Sequence, residues 1–562
     1  MRSRSTLGVG ALALALLLSA CGGGDNSSSS SSSASSAAGK DGGNLTVSEG
    51  TAPDTLDPSN GYTTQDAEAD IQVYTPLLTY AAKSGTAGTT LIPGLAKALP
   101  TVSADGLTYK LQLRSGLKYS DGTPVKASDF AFAVQRAIKL SWGGASFLTS
   151  NIAGAADYEA GKAQSISGIV TDDSTGDITI TLSQPYGAFE NVIAFTATAP
   201  IPSTTPMTVQ DTTPPVGVGP YKFGKVTPNQ SYELDKVASF GSLGIDGVPA
   251  GHVDTVQVSV QSNNTTEAQQ VLNNQVDIFD WADTLPAGLL QQVKSQASNR
   301  FKEVSNAYTY YFFLDTTQAP FNNPVARQAV NMALDRTALA KLAAGAITPA
   351  CYFLPPSIVG HPSGYDACPG GDPSKTPSAD NVAKAKKMIS DAGLAGSPVT
   401  VWSQTKSPRQ EYDAYFTDLL NQLGFKATLN TVQDSVYFQT IGNANTHAQA
   451  GFADWSQDFP HPADFYLLLS KAGIQPVNNE NFGNVADPQI ESQLAKLLPT
   501  PAGQLKNDAT GWENLEKYVA KNGYIAEFGY GTSPQYTSNR VNFSSAAFNP
   551  VYGWLFNTVT VK

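Results

Sequence analysis

The feature that most constrains this chain is the repeated alternation of strand-like and helix-like segments through its second half. Residues 253–260 read as a strand, 266–273 as a helix and 276–279 as a strand. An aromatic strand follows at 308–314, then an apolar-periodic helix at 324–344. The same order recurs with a helix at 379–392, a strand at 399–402, a helix at 410–423 and a strand at 426–431. Strands that alternate with helices of this length pair into sheets whose faces the helices cover, which makes the fold class α/β. No internal repeat is found.

The first half carries the same vocabulary with more turns. Residues 44–49 alternate like a strand, residues 51–58 break it, and 66–78 read as a helix. Within 106–119, Leu107, Tyr109, Leu111 and Leu113 alternate strictly, the mark of a half-buried strand. Asp121-Gly122-Thr123-Pro124 turns the chain, and Ser128 is read as the N-cap of a helix running to about residue 140. A strand pair flanks Asp173-Ser174-Thr175-Gly176-Asp177, with Ile178, Ile180 and Leu182 on one face. These acidic residues are read as a tight turn in preference to a calcium loop. At ~150 residues per domain, 562 residues suggest three or four domains, and 41% hydrophobic content is ample for a large core.

The N-terminus reads as a targeting segment. Arg2 and Arg4 precede an apolar run from Leu7 to Leu18, too short to span a bilayer comfortably and suited to a secretory leader. Leu18-Ser19-Ala20-Cys21 resembles the bacterial lipobox, in which cleavage leaves Cys21 as a lipid-bearing N-terminus. The alternative is an ordinary leader cut after Ala20. Residues 22–43 are nearly all Gly, Ser and Ala, a flexible tether. Loss of the leader removes two positive charges and no negative ones, moving the net charge from -12 to -14. With Cys21 assigned to lipid, only Cys351 and Cys368 remain, in a chain read as exported. A disulfide between them is expected, the alternative being two unpaired small core residues.

The acidic balance, 35 basic against 47 acidic residues, argues against a nucleic-acid partner. No phosphate loop, no His-Glu-x-x-His and no Gly-x-Ser-x-Gly elbow is present. Gly217-Val218-Gly219-Pro220 begins like a dinucleotide loop, but the third glycine is missing and Pro220 lacks an N–H for phosphate. The four histidines, His252, His361, His447 and His461, contain no pair at metal-ligand spacing. The expectation is therefore a protein without catalytic residues, metal or cofactor. Aromatic residues beside polar ones point instead to a pocket for a small polar ligand. The segment Trp455-Ser456-Gln457-Asp458-Phe459-Pro460 is the sharpest case, because a carboxylate in a partly apolar cleft favours an ammonium group. Asp458 capping a turn ahead of Pro460 is the competing reading.

Several segments together resemble the solute-binding lipoproteins of ABC importers, specifically the large three-domain class of oligopeptide- and dipeptide-binding proteins (family 5). They are Pro53-Asp54-Thr55-Leu56-Asp57-Pro58, Thr75-Pro76-Leu77-Leu78, Ser103 to Tyr109, Leu113 to Tyr119, Asp121 to Val125 and Ala127 to Phe130. Val216 to Tyr221, Pro320 to Ala329 and Asp335-Arg336 keep the same order further on. Asp315 and Ala326 depart from the residues more usual in that class. The resemblance covers nearly all of 44–562. It implies a two-lobed periplasmic-binding-protein-like (class II) fold with an extra subdomain. The expected division is a leader at 1–20, a tether at 21–43, domain I at 44–83, 200–305 and 528–562, domain II at 84–199, and domain III at 306–527.

The resemblance also implies a function. A peptide would be trapped between lobes and delivered to a membrane permease, with energy from a separate ATPase, by a monomer lipid-anchored through Cys21 to the outer face of the bacterial membrane. Asp458 would pair with the peptide's N-terminal ammonium, Trp455 and Phe459 would line the cleft, and Trp402 would stand near a ligand loop. An oligosaccharide or another small polar ligand is the alternative cargo. A surface-interaction lipoprotein or an exported hydrolase is the alternative from other classes.

Overall fold

The computed structural model describes residues 41–562. The leader and nearly all of the tether, Cys21 included, lie outside the described residues. Among those described, no helix is long and apolar enough to cross a membrane, and no cluster of metal-ligating side chains is found.

One four-stranded sheet has the order Asn44–Glu49, Thr255–Val260, Ser231–Lys236 and Tyr221–Thr227, with the first pair parallel and the others antiparallel. Leu45, Val47, Val256, Val258, Tyr232 and Leu234 fall on alternate positions and are buried, as a sheet covered on that face requires. The cluster they join is completed from the far end of the chain by Trp554, Phe556 and Val561.

The largest sheet has six strands, in the order Ile347–Pro349, Ile525–Tyr536, Phe301–Leu314, Ala450–Ser456, Pro398–Gln404 and Lys426–Val432. Both faces are covered. Tyr308, Tyr310, Phe312 and Leu314 pack with the helices Pro324–Ala333, Ala379–Asp391 and Arg409–Leu423, and Phe312 stacks on Phe416 at 4.1 Å. Ala307, Tyr311 and Phe313 point the other way, toward Phe353 and Phe465. Each such aromatic removed from water contributes roughly 1.5–3 kcal/mol.

Phe301–Leu314 and Ile525–Tyr536 are the two longest strands, and their antiparallel register slips between Ser305 and Thr309. Beyond Phe301↔Tyr536, Ile278 bridges both Thr537 and Val47. This strand pair therefore links the six-stranded sheet to the first one, and the slip lies where it passes between them.

A second four-stranded sheet, Thr101–Val102, Thr108–Gln112, Asp177–Thr181 and Ile169–Asp172, is antiparallel throughout. Tyr109, Leu111, Ile178 and Ile180 share a core cluster with Phe130, Val134 and Ile138 of the helix Ala127–Lys139. The acidic turn is as read: Asp172 Oδ1 accepts from Ser174 N at 2.8 Å. Cys351 and Cys368 are joined by a disulfide, with Cα atoms 6.0 Å apart.

Several sequence expectations are corrected. The helix expected over 66–78 spans Thr64–Val73, and Leu78–Tyr80 is a strand. The strand expected over 106–119 is Thr108–Gln112. The helix assigned to an N-cap at Ser128 begins two residues earlier than that cap implies, after Lys126, whose N–H is taken by Asp129 Oδ2 at 2.9 Å; Ser128 binds Asp173 instead. The helix expected over 324–344 is two, because Asp335 caps a new one, Arg336–Leu342, by accepting from Thr337 N and Ala338 N. Residues 276–279 form isolated bridges through Ile278. Gly217 and Gly219 lie against the Val73 backbone, where a Cβ would come within 2.3 and 2.5 Å, so they serve close packing.

Candidate ligand-binding site

The strand Ala450–Ser456 sits inside the six-stranded sheet and ends at Gln457-Asp458, before the helix Pro462–Leu467. That helix is capped by His461, whose Nδ1 accepts from Ala463 N at 3.0 Å, with Pro462 in the first turn. Burial lowers the His461 pKa to about 4, so the imidazole is neutral and structural. Asp464, in the first turn, accepts from Asp458 N at 2.9 Å and from Trp455 Nε1 at 3.3 Å. The loop is thus held in place by a buried carboxyl, and the Asp458 side chain is free to project from it.

Asp458 projects into a cavity of about 160 Å3. Its carboxylate accepts a hydrogen bond from Tyr62 Oη. The Tyr62 ring is wedged edge-on against Trp142 at 5.1 Å and tilted against Trp455 at 6.0 Å. Tyr62 comes from the segment before the helix Thr64–Val73, so this bond joins the N-terminal part of the chain to the far sheet. Burial raises the Asp458 pKa to about 7, against the opposing effect of the Tyr62 bond.

A second wall is built around Arg409, at the start of its helix. The guanidinium holds Asp454 Oδ2 at 3.0 Å and Gln404 Oε1 at 3.3 Å, and lies 5.3 Å from the Phe452 ring centre. Tyr308 Oη donates to the same Asp454 oxygen at 2.8 Å. Asp54 and Glu480 also line the cavity. Burial, reinforced by neighbouring carboxyls, raises the Glu480 pKa to about 8; Asp54, more open to solvent, is shifted in the same direction. Asp54 is exposed to solvent where it lines the cavity, in the turn after the first strand.

The cavity is closed over by contacts between distant segments. Lys406 Nζ reaches Asp283 Oδ1 at 2.9 Å and Thr51 Oγ1 at 2.6 Å. Gln475 Nε2 donates to Gly143 O at 3.0 Å, Asn478 Nδ2 to Ser141 O at 2.8 Å, and Gln457 Nε2 to Pro550 O at 3.2 Å.

Of the residues singled out in the sequence, Asp458 and Trp455 line the cavity. Phe459 is fully buried one layer behind, edge-on to Phe147 at 5.4 Å and Phe195 at 6.0 Å. Trp402 is half-buried in the strand Pro398–Gln404, opposite Gly451, and is not part of the lining. Sequence reasoning missed Tyr62, Asp54, Arg409, Asp454 and Glu480. Asp454 had a signal, four residues before Asp458 on the same strand end; the others come from segments that only the fold brings together.

The site is an acid-rimmed, aromatic-walled cavity whose lining comes from both ends of the chain. The model for bacterial extracellular solute-binding proteins, family 5, matches residues 90–476. The glutathione-binding protein GsiB of Salmonella typhi is 30% identical over 422 residues, covering 72% of this chain and 74% of that one. Haemophilus influenzae OppA in complex with the peptide RPPGFSPFR superposes with a TM-score of 0.79 at 18% identity, covering 93% of this chain and 100% of that one. DppA of Helicobacter pylori, in complex with the peptide STSA, gives 0.75 at 19% identity, over 93% and 98%. The chain belongs to family 5 of the bacterial extracellular solute-binding proteins, the ligand-capturing components of ABC importers.

Proposed function

We propose that this protein captures short peptides in the cavity beside Asp458 and delivers them to a membrane permease. The observation that carries this reading is the Asp458 carboxylate. It sits in an aromatic-walled cavity with Tyr62 as its one side-chain hydrogen-bond donor among the described residues, and so has lone pairs to spare for an ammonium. A ligand that touches both Asp458 and the Tyr62 side favours the closed form, because it gains contacts there that the open form lacks. In this reading domain I comprises 44–83, 200–305 and 528–562, domain II 84–199 and domain III 306–527. The register slip at Ser305–Thr309 supports a hinge at the 305/306 boundary.

In this reading the chain is a monomeric binding protein rather than an enzyme. It is tethered by lipid on Cys21 to the outer face of the cell membrane, and a separate ATPase powers transport. The GsiB relative is named for glutathione, itself a tripeptide, which agrees with a short peptide as cargo. An oligosaccharide finds aromatic walls here, but also several carboxyls for which it has no charge partner. The test is isothermal titration of the purified protein with di- to pentapeptides, their N-acetylated forms, and sugars. Binding of free peptides that N-acetylation abolishes supports the assignment; binding of sugars alone overturns it.

A further inference from the structure

Thr51 stands where two parts of the structure meet. It follows the strand Asn44–Glu49 and lines the ligand cavity, as do Asp434, Arg409 and Asp454 from the six-stranded sheet and its helices. Its Oγ1 lies 2.6 Å from Lys406 Nζ and 3.0 Å from Asp434 Oδ2. Chemistry fixes the direction of both bonds. An ammonium only donates and a carboxylate only accepts, so the hydroxyl accepts from Lys406 and gives its single proton to Asp434.

The contacts on either side extend this pair into a chain. Lys406 also reaches Asp283 Oδ1 at 2.9 Å, with both side chains buried. Asp434 Oδ1 lies 4.0 Å from Arg409 Nη1, and the Arg409 guanidinium holds Asp454 Oδ2 at 3.0 Å, the oxygen that Tyr308 Oη reaches at 2.8 Å. The order is therefore Asp283, Lys406, Thr51, Asp434, Arg409, Asp454 and Tyr308. Asp283 and Lys406 stand behind the cavity, whereas the five from Thr51 to Tyr308 line it.

The backbone before Thr51 is fixed independently. Gly50 N donates to the buried Asp280 Oδ2 at 2.9 Å. A Cβ at Gly50 would come within 1.9 Å of Asp283 Oδ2 and 2.8 Å of Lys406 Nζ, so glycine is what lets the ion pair lie against the chain beside Thr51.

We propose that Thr51 is a positioning residue for the bound solute. Its hydroxyl, aimed by Lys406, holds Asp434 and with it the Arg409 wall, so that this wall has its binding shape only while residues 50–51 are docked on Lys406. The proposal rests on a solute binding in this cavity and not on that solute being a peptide. Linkage makes the effect reciprocal: a solute that needs the ordered wall favours the docked state by the same factor.

The test is titration of the purified full chain with trialanine and with maltotriose, in the wild type, Thr51→Val, Thr51→Ser, Asp434→Ala and the double variant Thr51→Val/Asp434→Ala. Thr51→Val keeps the side-chain outline and removes both bonds, and is expected to weaken the probe that binds by at least about tenfold. Thr51→Ser, which keeps the hydroxyl, is expected to restore affinity to within about threefold of the wild type. The double variant is expected to lose no more than about twofold beyond the weaker single variant, because both remove the same bond. Hydrogen exchange on the ligand-free protein reads the wall directly: residues 434–441 are expected to exchange faster in Thr51→Val and at the wild-type rate in Thr51→Ser. If maltotriose binds and trialanine does not, the peptide reading falls and the Thr51 expectations are read on maltotriose; if neither binds, the exchange comparison decides. Unchanged exchange or unchanged affinity in Thr51→Val overturns the proposal, as does a Thr51→Ser loss equal to that of Thr51→Val, or losses that add in the double variant.

Discussion

Lys406 and Asp283, 123 positions apart in sequence, meet with 4% and 5% of their side chains exposed and a 2.9 Å Nζ–Oδ1 separation. Lys406 follows the strand Pro398–Gln404 of the six-stranded sheet, whereas Asp283 belongs to the region packed beside the first sheet. The pair is therefore a buried latch across the cleft. Removing one partner leaves the other charge unpaired, at a cost of about 3–5 kcal/mol if the cleft stays shut. Lys406→Met is expected to avoid that cost by opening. Small-angle scattering should then give a larger radius of gyration than for the wild type without ligand; an unchanged radius would show that the latch does not govern closure.

Asp458→Asn keeps the shape of the carboxyl and removes its charge. Peptide affinity is expected to fall by roughly one to two orders of magnitude, the worth of a charge-assisted hydrogen bond in a dry site. Tyr62→Phe should cost less, because it removes one neutral donor. Calorimetry on both variants checks the ranking, and a Tyr62→Phe loss exceeding that of Asp458→Asn would contradict it.

The half-buried cavity carboxyls give stability a definite dependence on pH. Asp458 near 7 and Glu480 near 8 stand above the ordinary values of 3.8 for Asp and 4.5 for Glu. The folded state therefore holds more protons than the unfolded one between about pH 4 and 8, and stability falls as pH rises through that window. Asp458 is faced by Tyr62, Asp464 and Glu480, and Glu480 by Asp54, Asp454 and Asp458, so the groups reinforce one another. The ligand-free protein is expected to melt higher at pH 5 than at pH 8. A peptide ammonium, which needs the ionised Asp458 carboxylate, should bind more tightly at pH 7 than at pH 5. Melting curves and titrations at these pH values decide the matter, and a higher melting temperature at pH 8 than at pH 5 without ligand would refute the first half.

The disulfide closes a 17-residue separation between Cys351 and Cys368. Replacing both by serine should lower stability by about 3 kcal/mol on chain-entropy grounds. Both sulfurs are buried beside Tyr352 and Ala520, away from the ligand cavity. The melting temperature should drop while peptide affinity stays the same; a changed affinity would mean that the loop communicates with the cleft.

Arg136 and Asp57 form a fully buried bidentate pair at 2.5 and 2.6 Å, and Asp57 also accepts from Gln210 N at 2.9 Å. Arg136→Met leaves that carboxylate without its cation, with an expected cost of about 3–5 kcal/mol. Chemical denaturation measures it. The double variant Arg136→Met/Asp57→Leu should recover part of the loss.

Much of the sheet framework was legible because strand periodicity survives burial on both faces when residues are aromatic or branched, as in Tyr308–Leu314. The break at Asp335 was not, because the apolar period runs on through it and only the side-chain cap reveals the new helix. Ser128 misled for a related reason: a good capping residue stood one position inside the helix, where Asp173 used its hydroxyl instead. In the site, Trp455 and Asp458 were readable because they lie in one short segment. Tyr62, Arg409 and Glu480 were not, since each is ordinary in its local context and gains meaning only from sheet order. Phe459 and Trp402 illustrate the converse, for an aromatic beside a cavity and an aromatic one layer behind it look alike in a linear sequence.

The first sheet begins at Asn44, yet the cluster beneath it is closed by Trp554, Phe556 and Val561, the last of which also bridges Val541. The four strands of that sheet all lie within residues 44–260, but the core beneath it is not filled until residues 554–561 arrive. Contacts of such sequence separation form late and slowly. The core under the first strand is thus shared between segments some five hundred positions apart. The same arrangement makes the final ten residues a clasp for the first strand, so trimming them would undo the beginning of the protein rather than its end.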